Sequence, residues 1–239
     1  NNIFLQFCHI ENNILELKVR ILTLEKIVYL IKNENMCFFY GINKSVKQIE
    51  KAFNAKFDNP DFEPIQDVNG FAHPFMPIIV DKRPDIITGA NWGLLPTWAK
   101  DTSFQKNTLN ARIETLDEKP SFKNAIKNRC LVPATNFYEW QWKDPKGKEK
   151  KKFSINTKEE IFAFAGLYSV WKNPQTGNFM LTYTILTTEA NELMAEIHNN
   201  KKRMPVVLNN EHHALWLQGD NYKDFAYPYQ TNLMANPVP

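Results

Sequence analysis

Cys37 directly follows Met36. A chain beginning at Met36 and losing that methionine would present Cys37 with a free α-amine beside its thiol. Such a 1,2-aminothiol condenses with an aldehyde through nitrogen, and its sulfur then closes a five-membered thiazolidine ring. An internal cysteine lacks the amine and cannot do this. The ordinary role of a cysteine flanked by Phe38 and Phe39 is a small buried hydrophobe.

Other places concentrate polar groups in apolar surroundings. Asn110 and Arg112 stand two apart, so on an extended strand they share a face. Arginine offers a planar fork of donors suited to phosphate, and asparagine both a donor and an acceptor. The alternative is a helix start or turn carrying a surface ion pair with Glu114. Glu139 lies in Phe137-Tyr138-Glu139-Trp140-Gln141-Trp142. A carboxyl desolvated by aromatics favours its neutral form, which suits general-acid work near neutral pH. An outward-facing Glu on a half-buried strand fits the same pattern. His198 closes an apolar helical stretch and is followed by Lys201, Lys202 and Arg203. A helix C-terminus favours imidazolium, although a plain terminal histidine reads identically. His9, His73, His212 and His213 lack comparable context.

These groups need a scaffold, and the 239-residue chain is long enough to supply one. It is 43% hydrophobic and 23% charged, which permits a sizeable core, and its net charge of +3 permits nucleic-acid binding without arguing for it. Lysines at 143, 146, 148, 150, 151 and 152 form a basic run, and Lys201, Lys202 and Arg203 a second. Solvated loops are the ordinary reading of both. Three scattered cysteines, Cys8, Cys37 and Cys130, with no paired framework and no zinc spacing, fit a reducing cytoplasm and no metal. No apolar run approaches membrane-spanning length.

Residues 1–35 stand apart and are read as a mis-assigned start or a propeptide, with a helix over Asn12–Ile31. Residues 36–239 read as one α+β domain on an antiparallel, barrel-like sheet with peripheral helices. Helices are expected over Ser45–Phe57, Ser121–Lys127, Glu189–Ile197 (capped by Thr187 or Thr188) and Asn210–Leu217. Strands are expected over Met76–Val80, Ile86–Leu94, Cys130–Pro133, Phe137–Trp142, Phe153–Ile155, Ile161–Tyr168, Met180–Leu186 and Pro205–Leu208. Asp144, Pro145 and Gly147 mark a hairpin turn after Trp142.

In chain order, Met36-Cys37, Trp92-Gly93-Leu94-Leu95-Pro96-Thr97-Trp98, Asn110-Ala111-Arg112-Ile113-Glu114-Thr115, Arg129-Cys130-Leu131-Val132-Pro133, Phe137-Tyr138-Glu139-Trp140, Thr187-Thr188 and Ile197-His198 with Arg203-Met204-Pro205 together resemble the SRAP family of abasic-site-processing proteins. The resemblance implies a cofactor-free, monomeric protein. It would bind single-stranded DNA carrying an abasic site and crosslink to it through an N-terminal cysteine, in the cytoplasm and, in a bacterium, at the nucleoid. Carried over, Cys37 is the crosslinking nucleophile, Asn110 positions the sugar or amine, Glu139 is the general acid and His198 assists proton transfer. Arg112, Thr187, Arg203 and Pro74 are implied DNA contacts. Two departures stand out. Phe38-Phe39 replace the family's usual Gly-Arg, and Asn199–Lys202 lengthen the link after His198. A cysteine peptidase built on Cys37 and a non-catalytic single-strand binder remain the competing readings.

Overall fold

The computed structural model describes residues 38–238. The helix expected over Asn12–Ile31, Cys8 and Cys37 itself lie outside the described residues. The chain forms strands β1 (Phe39–Ile42), β2 (Lys56–Phe57), β3 (Ile65–Asn69), β4 (Phe75–Val80), β5 (Ile86–Trp92), β6 (Asn110–Arg112), β7 (Arg129–Ala134), β8 (Asn136–Trp142), β9 (Lys150–Asn156), β10 (Phe162–Lys172), β11 (Phe179–Glu189), β12 (Arg203–Pro205), β13 (Val207–Leu208) and β14 (Met234–Pro237). The α-helices are α1 (Val46–Phe53), α2 (Glu192–Ile197) and α3 (His213–Gln218), with short 3-10 turns between elements. This is the expected α+β class.

Two sheets carry the fold. One has the order β14-β9-β8-β1-β3. In the other, β11, β10, β7, β4 and β5 are neighbours in turn, and a parallel pairing of β11 with β5 closes them into a ring. Strands buried on both sides need apolar residues throughout. β7 (RCLVPA) is buried along its whole length, and β10 (FAFAGLYSVWK) is buried from Phe162 to Ser169. The sheets meet at an aromatic cluster. Tyr40 of β1 packs edge-on against Trp92 and Phe164, with centroids 5.2 and 5.7 Å apart, and Trp92 stacks on Tyr183. The buried Tyr40 and Tyr183 hydroxyls satisfy one another at 3.0 Å. Gly93, at φ +112°, turns the chain out of β5 through a conformation that other residues rarely adopt, and donates its N–H to the Tyr183 carbonyl.

Some expected boundaries move. α1 begins at the Ser45 N-cap, whose N–H donates to Gln48 Oε1 at 3.0 Å, but it stops at Asn54 in the left-handed region (φ +50°). Lys56 and Phe57 therefore leave the expected helix and pair in parallel with Ile86 and Ile87. Thr187 and Thr188 cap nothing: both are buried in β11, paired with β12, as suits β-branched residues. α2 is capped instead by Asn191, whose Oδ1 accepts from the Met194 N–H at 2.9 Å. The helix expected over Ser121–Lys127 is a single 3-10 turn, Lys123–Ala125.

Candidate functional site

The candidate residues fall on elements tied to one another by hydrogen bonds. β6 lies parallel to β11, with Asn110 opposite Ile185 and Arg112 opposite Thr187. Along β6, Asn110 is half-buried, Ala111 buried and Arg112 exposed. Asn110 and Arg112 thus share a face, as their spacing predicts, while Ala111 points into the core. The Trp92 indole N–H donates to the Leu109 carbonyl at 2.7 Å and fixes the entry to this strand.

Thr187 and Arg203 are not surface contacts. Thr187 is fully buried, and its hydroxyl donates to the Ala111 carbonyl at 3.4 Å. Arg203, expected at DNA, is 8% exposed. Its guanidinium donates to both Glu114 carboxylate oxygens, at 2.9 and 2.8 Å, and to the Thr187 carbonyl at 2.8 Å. Glu114 also accepts from the Thr188 hydroxyl at 3.0 Å. Burial pushes the Glu114 carboxyl up, but the Arg203 hydrogen bonds outweigh it and hold the group below its ordinary value. The ion pair anticipated between Arg112 and Glu114 is replaced by a fork between Arg203 and Glu114 that locks β12 to the turn after β6. Nothing in the local spacing signals that partner, which lies 89 residues away.

His198 closes α2 and is buried at 5% exposure. Its Nδ1 lies 2.9 Å from the Arg203 carbonyl, closer than the 3.4 Å to the Arg203 amide nitrogen. A carbonyl only accepts, so the shorter contact places the hydrogen on Nδ1. In the neutral ring Nε2 then holds the lone pair.

Glu139 is 5% exposed, which excludes the outward-facing reading. It pairs across the sheet with Phe153. On the other side β8 pairs with β1, Phe137 opposite Tyr40 and Asn136 opposite Gly41. Continued by two residues, this antiparallel register sets Phe38 level with Glu139. Cys37 is the next residue along the chain. The start of β1 is held from its other side too, since the Gly70 N–H donates to the Phe38 carbonyl at 2.8 Å.

Pro74 follows the Gly70–Ala72 turn and His73, which is left-handed at φ +50°. The Pro74 carbonyl accepts from the Trp92 N–H at 3.0 Å, and His73 Nδ1 donates to the Trp92 carbonyl at 2.9 Å. Phe71 and Phe75 flank this turn at 50% and 67% exposure, and Phe38 packs on Phe71 with centroids 4.4 Å apart. These exposed rings escaped the sequence reading, although their places on either side of Pro74 were a signal. Among the described residues no group of three or more His, Cys, Asp or Glu could hold a metal ion, and no helix is long and apolar enough to cross a membrane. Cys130 is a free, fully buried cysteine, and desolvation pushes its thiol well above the ordinary range.

Comparison with known proteins adds sequence and structural relatives. The model of the SRAP family, described as SOS response associated peptidase, matches residues 36–239. Abasic site processing protein YoqW of Bacillus subtilis (strain 168) is 46% identical over 145 residues, covering 60% of this chain and 62% of that protein. Abasic site processing protein HMCES of Pongo abelii is 31% identical over 160 residues, covering 55% of this chain and 44% of that one. The chain thus spans about three fifths of the Bacillus relative's length. A crystal structure of a Bacteroides thetaiotaomicron protein superposes with a TM-score of 0.77 at 31% identity, over 85% of this chain and 92% of that one. One from Bordetella bronchiseptica gives a TM-score of 0.71 at 24% identity and bears on the fold alone.

Proposed function

Because the chain belongs to the SRAP family, we propose that it captures abasic sites in single-stranded DNA by forming a thiazolidine crosslink through Cys37. The observation that carries this reading is the convergence at the start of β1. Register brings Phe38 level with the buried Glu139, and α2, which ends in His198, packs on the same strand β8.

The reading requires Cys37 to carry a free α-amine, so whatever precedes it must be absent or removed. An abasic deoxyribose is mostly a closed hemiacetal. Glu139 as the neutral acid donates a proton to the ring oxygen as the hemiacetal hydroxyl loses one, and the C1′ aldehyde opens. The amine, with a pKa of about 7.7–8.0, is partly neutral near pH 7 and attacks C1′. Water leaves to give the imine, and the Cys37 sulfur adds to the same carbon as the thiol proton passes to nitrogen. Two bonds form at C1′, N–C and S–C, and one water is lost. His198, with its Nε2 lone pair, relays protons in these steps. Asn110 orients the sugar or the amine, Arg112 holds a backbone phosphate, and Pro74 with Phe71 and Phe75 presses on the unstacked strand. Thr187 and Arg203 act as positioning residues through the β11–β12 pairing and the His198 ring.

The test uses protein begun at Met36, incubated with single-stranded DNA containing one abasic site and resolved by denaturing gel and intact mass, beside Cys37→Ala and the full chain. The expected result is a covalent adduct, at the summed mass less one water, in the free-Cys37 form alone. An adduct that survives Cys37→Ala overturns the chemistry. Absence of adduct from every form, with cleavage of peptide substrates, would favour the thiol-peptidase reading.

A further inference from the structure

The β8–β9 hairpin carries charge out of proportion to its size. Between Gln141 and Lys152 stand six lysines against two acids, Asp144 and Glu149, a net charge of +4 in a chain whose total is +3. Everything outside the hairpin is therefore slightly acidic in sum, and the modest overall charge conceals a local positive field.

The turn is built to present that charge. One of the two acids is absorbed by the backbone: the Asp144 carboxylate accepts from the Lys146 N–H at 2.8 Å and the Glu149 N–H at 2.6 Å. Gly147 sits at φ +62°, and a Cβ there would come within 2.6 Å of the Trp142 ring. The tip therefore closes tightly onto Trp142, and Lys143, Lys146, Lys148, Lys150 and Lys151 are left exposed. Lys150 lies 5.2 Å over Trp142, and Lys152 lies 4.0 Å over Tyr138 and 5.6 Å over Trp140. Ammonium groups thus alternate with the half-buried Trp140 and Trp142 and the buried Tyr138 along a two-stranded ribbon, a mixture of cations for phosphate and rings for bases that suits a single strand.

The hairpin is rigidly joined to the candidate site. Trp142 lies three residues beyond Glu139 on β8, about 10 Å away. The loop after His198 is bonded to the hairpin base by Asn199, and Lys202 in that loop is exposed.

We propose that the β8–β9 hairpin, with Lys202, binds the phosphodiester backbone of the DNA strand to one side of the lesion, beyond the reacted nucleotide. This rests on the functional reading above. Lysines act as point charges, so the contact carries no base preference and tolerates any flanking sequence.

The experiment measures affinity for undamaged, fluorescently labelled single-stranded DNA by anisotropy across a salt series. Wild type is compared with the Lys146→Gln/Lys148→Gln/Lys150→Gln variant, in the full chain and in the chain begun at Met36. Losing three phosphate contacts lowers the slope of log K against log salt by about 2, and affinity at low salt by roughly tenfold. The crosslinking rate at saturating abasic DNA should stay unchanged, as should the unfolding temperature, since the substituted side chains are exposed. Equal slopes and affinities in variant and wild type overturn the proposal, as does failure of wild type to bind DNA at any salt. Undamaged DNA requires no chemistry, so a shifted slope without any adduct would uphold the hairpin surface while the crosslinking reading falls.

Discussion

The Asn199 side-chain amide forms a two-way hydrogen bond with the Trp142 backbone: its Oδ1 accepts the Trp142 N–H at 3.0 Å and its Nδ2 donates to the Trp142 carbonyl at 2.9 Å. It serves β8 as one residue of a neighbouring strand would. Gln141 adds a bond from its Nε2 to the Glu196 carbonyl at 3.0 Å. The end of α2, and with it His198, is thereby fixed to the strand that bears Glu139.

Asn199→Ala should slow crosslinking several-fold while affinity for undamaged single-stranded DNA changes less than twofold, with a stability loss of about 1 kcal/mol. Asn199→Asp keeps the acceptor and loses the donor, so its rate should fall between the two. Equal rates in all three proteins would show that the bridge does not position His198 against Glu139.

Glu139→Gln keeps the shape and removes the acid. Crosslinking should fall by about 100-fold or more, the usual worth of a general acid, with binding within about twofold. A rate close to wild type would remove Glu139 from the chemistry.

Glu114→Gln leaves the Arg203 guanidinium without its counter-charge. The expected cost is about 1–3 kcal/mol, below that of a fully buried pair because the Glu114 side chain keeps 33% exposure. Glu114 is held below its ordinary value in the folded protein. Its contribution is therefore complete above the unfolded pKa of about 4.3 and is lost as pH falls through the lower folded value. Denaturant midpoints of wild type and variant should converge in acid. A gap independent of pH would contradict the charge pairing.

His213 gives a second pH signature. Burial pushes it down to about 4, with Glu211 opposing, His212 reinforcing and the Leu208 carbonyl opposing. The unfolded chain binds the proton more readily, so stability declines as pH falls from about 6.5 towards the folded value. His213→Phe keeps the stack on Phe53, whose ring centroid lies 5.5 Å away. It should flatten that decline by about 1–3 kcal/mol. Parallel pH profiles for the two proteins would refute the assignment.

The fold class and most strands were legible because β4, β8, β10 and β11 are rich in β-branched and aromatic residues and β7 is a short apolar run. β3 (IQDVN) and β14 (MANP) were not, because neither has an alternating apolar pattern; each owes its conformation to its neighbour, β1 and β9 respectively. The shared face of Asn110 and Arg112 was legible through period-two spacing, and the burial of Glu139 through its aromatic neighbours. The burial of Arg203 against Glu114 was not legible, because its context is basic and that partner is distant in sequence. The Asn199 bridge was hidden for the same reason, since it joins residues 57 positions apart.

β1 is paired on both sides, with β3 and with β8. Its first residues therefore have little freedom to lose when a lesion arrives. Under the proposed function the strand beside the lesion is thus ordered before DNA binds, so Phe39–Ile42 give up little conformational entropy on binding.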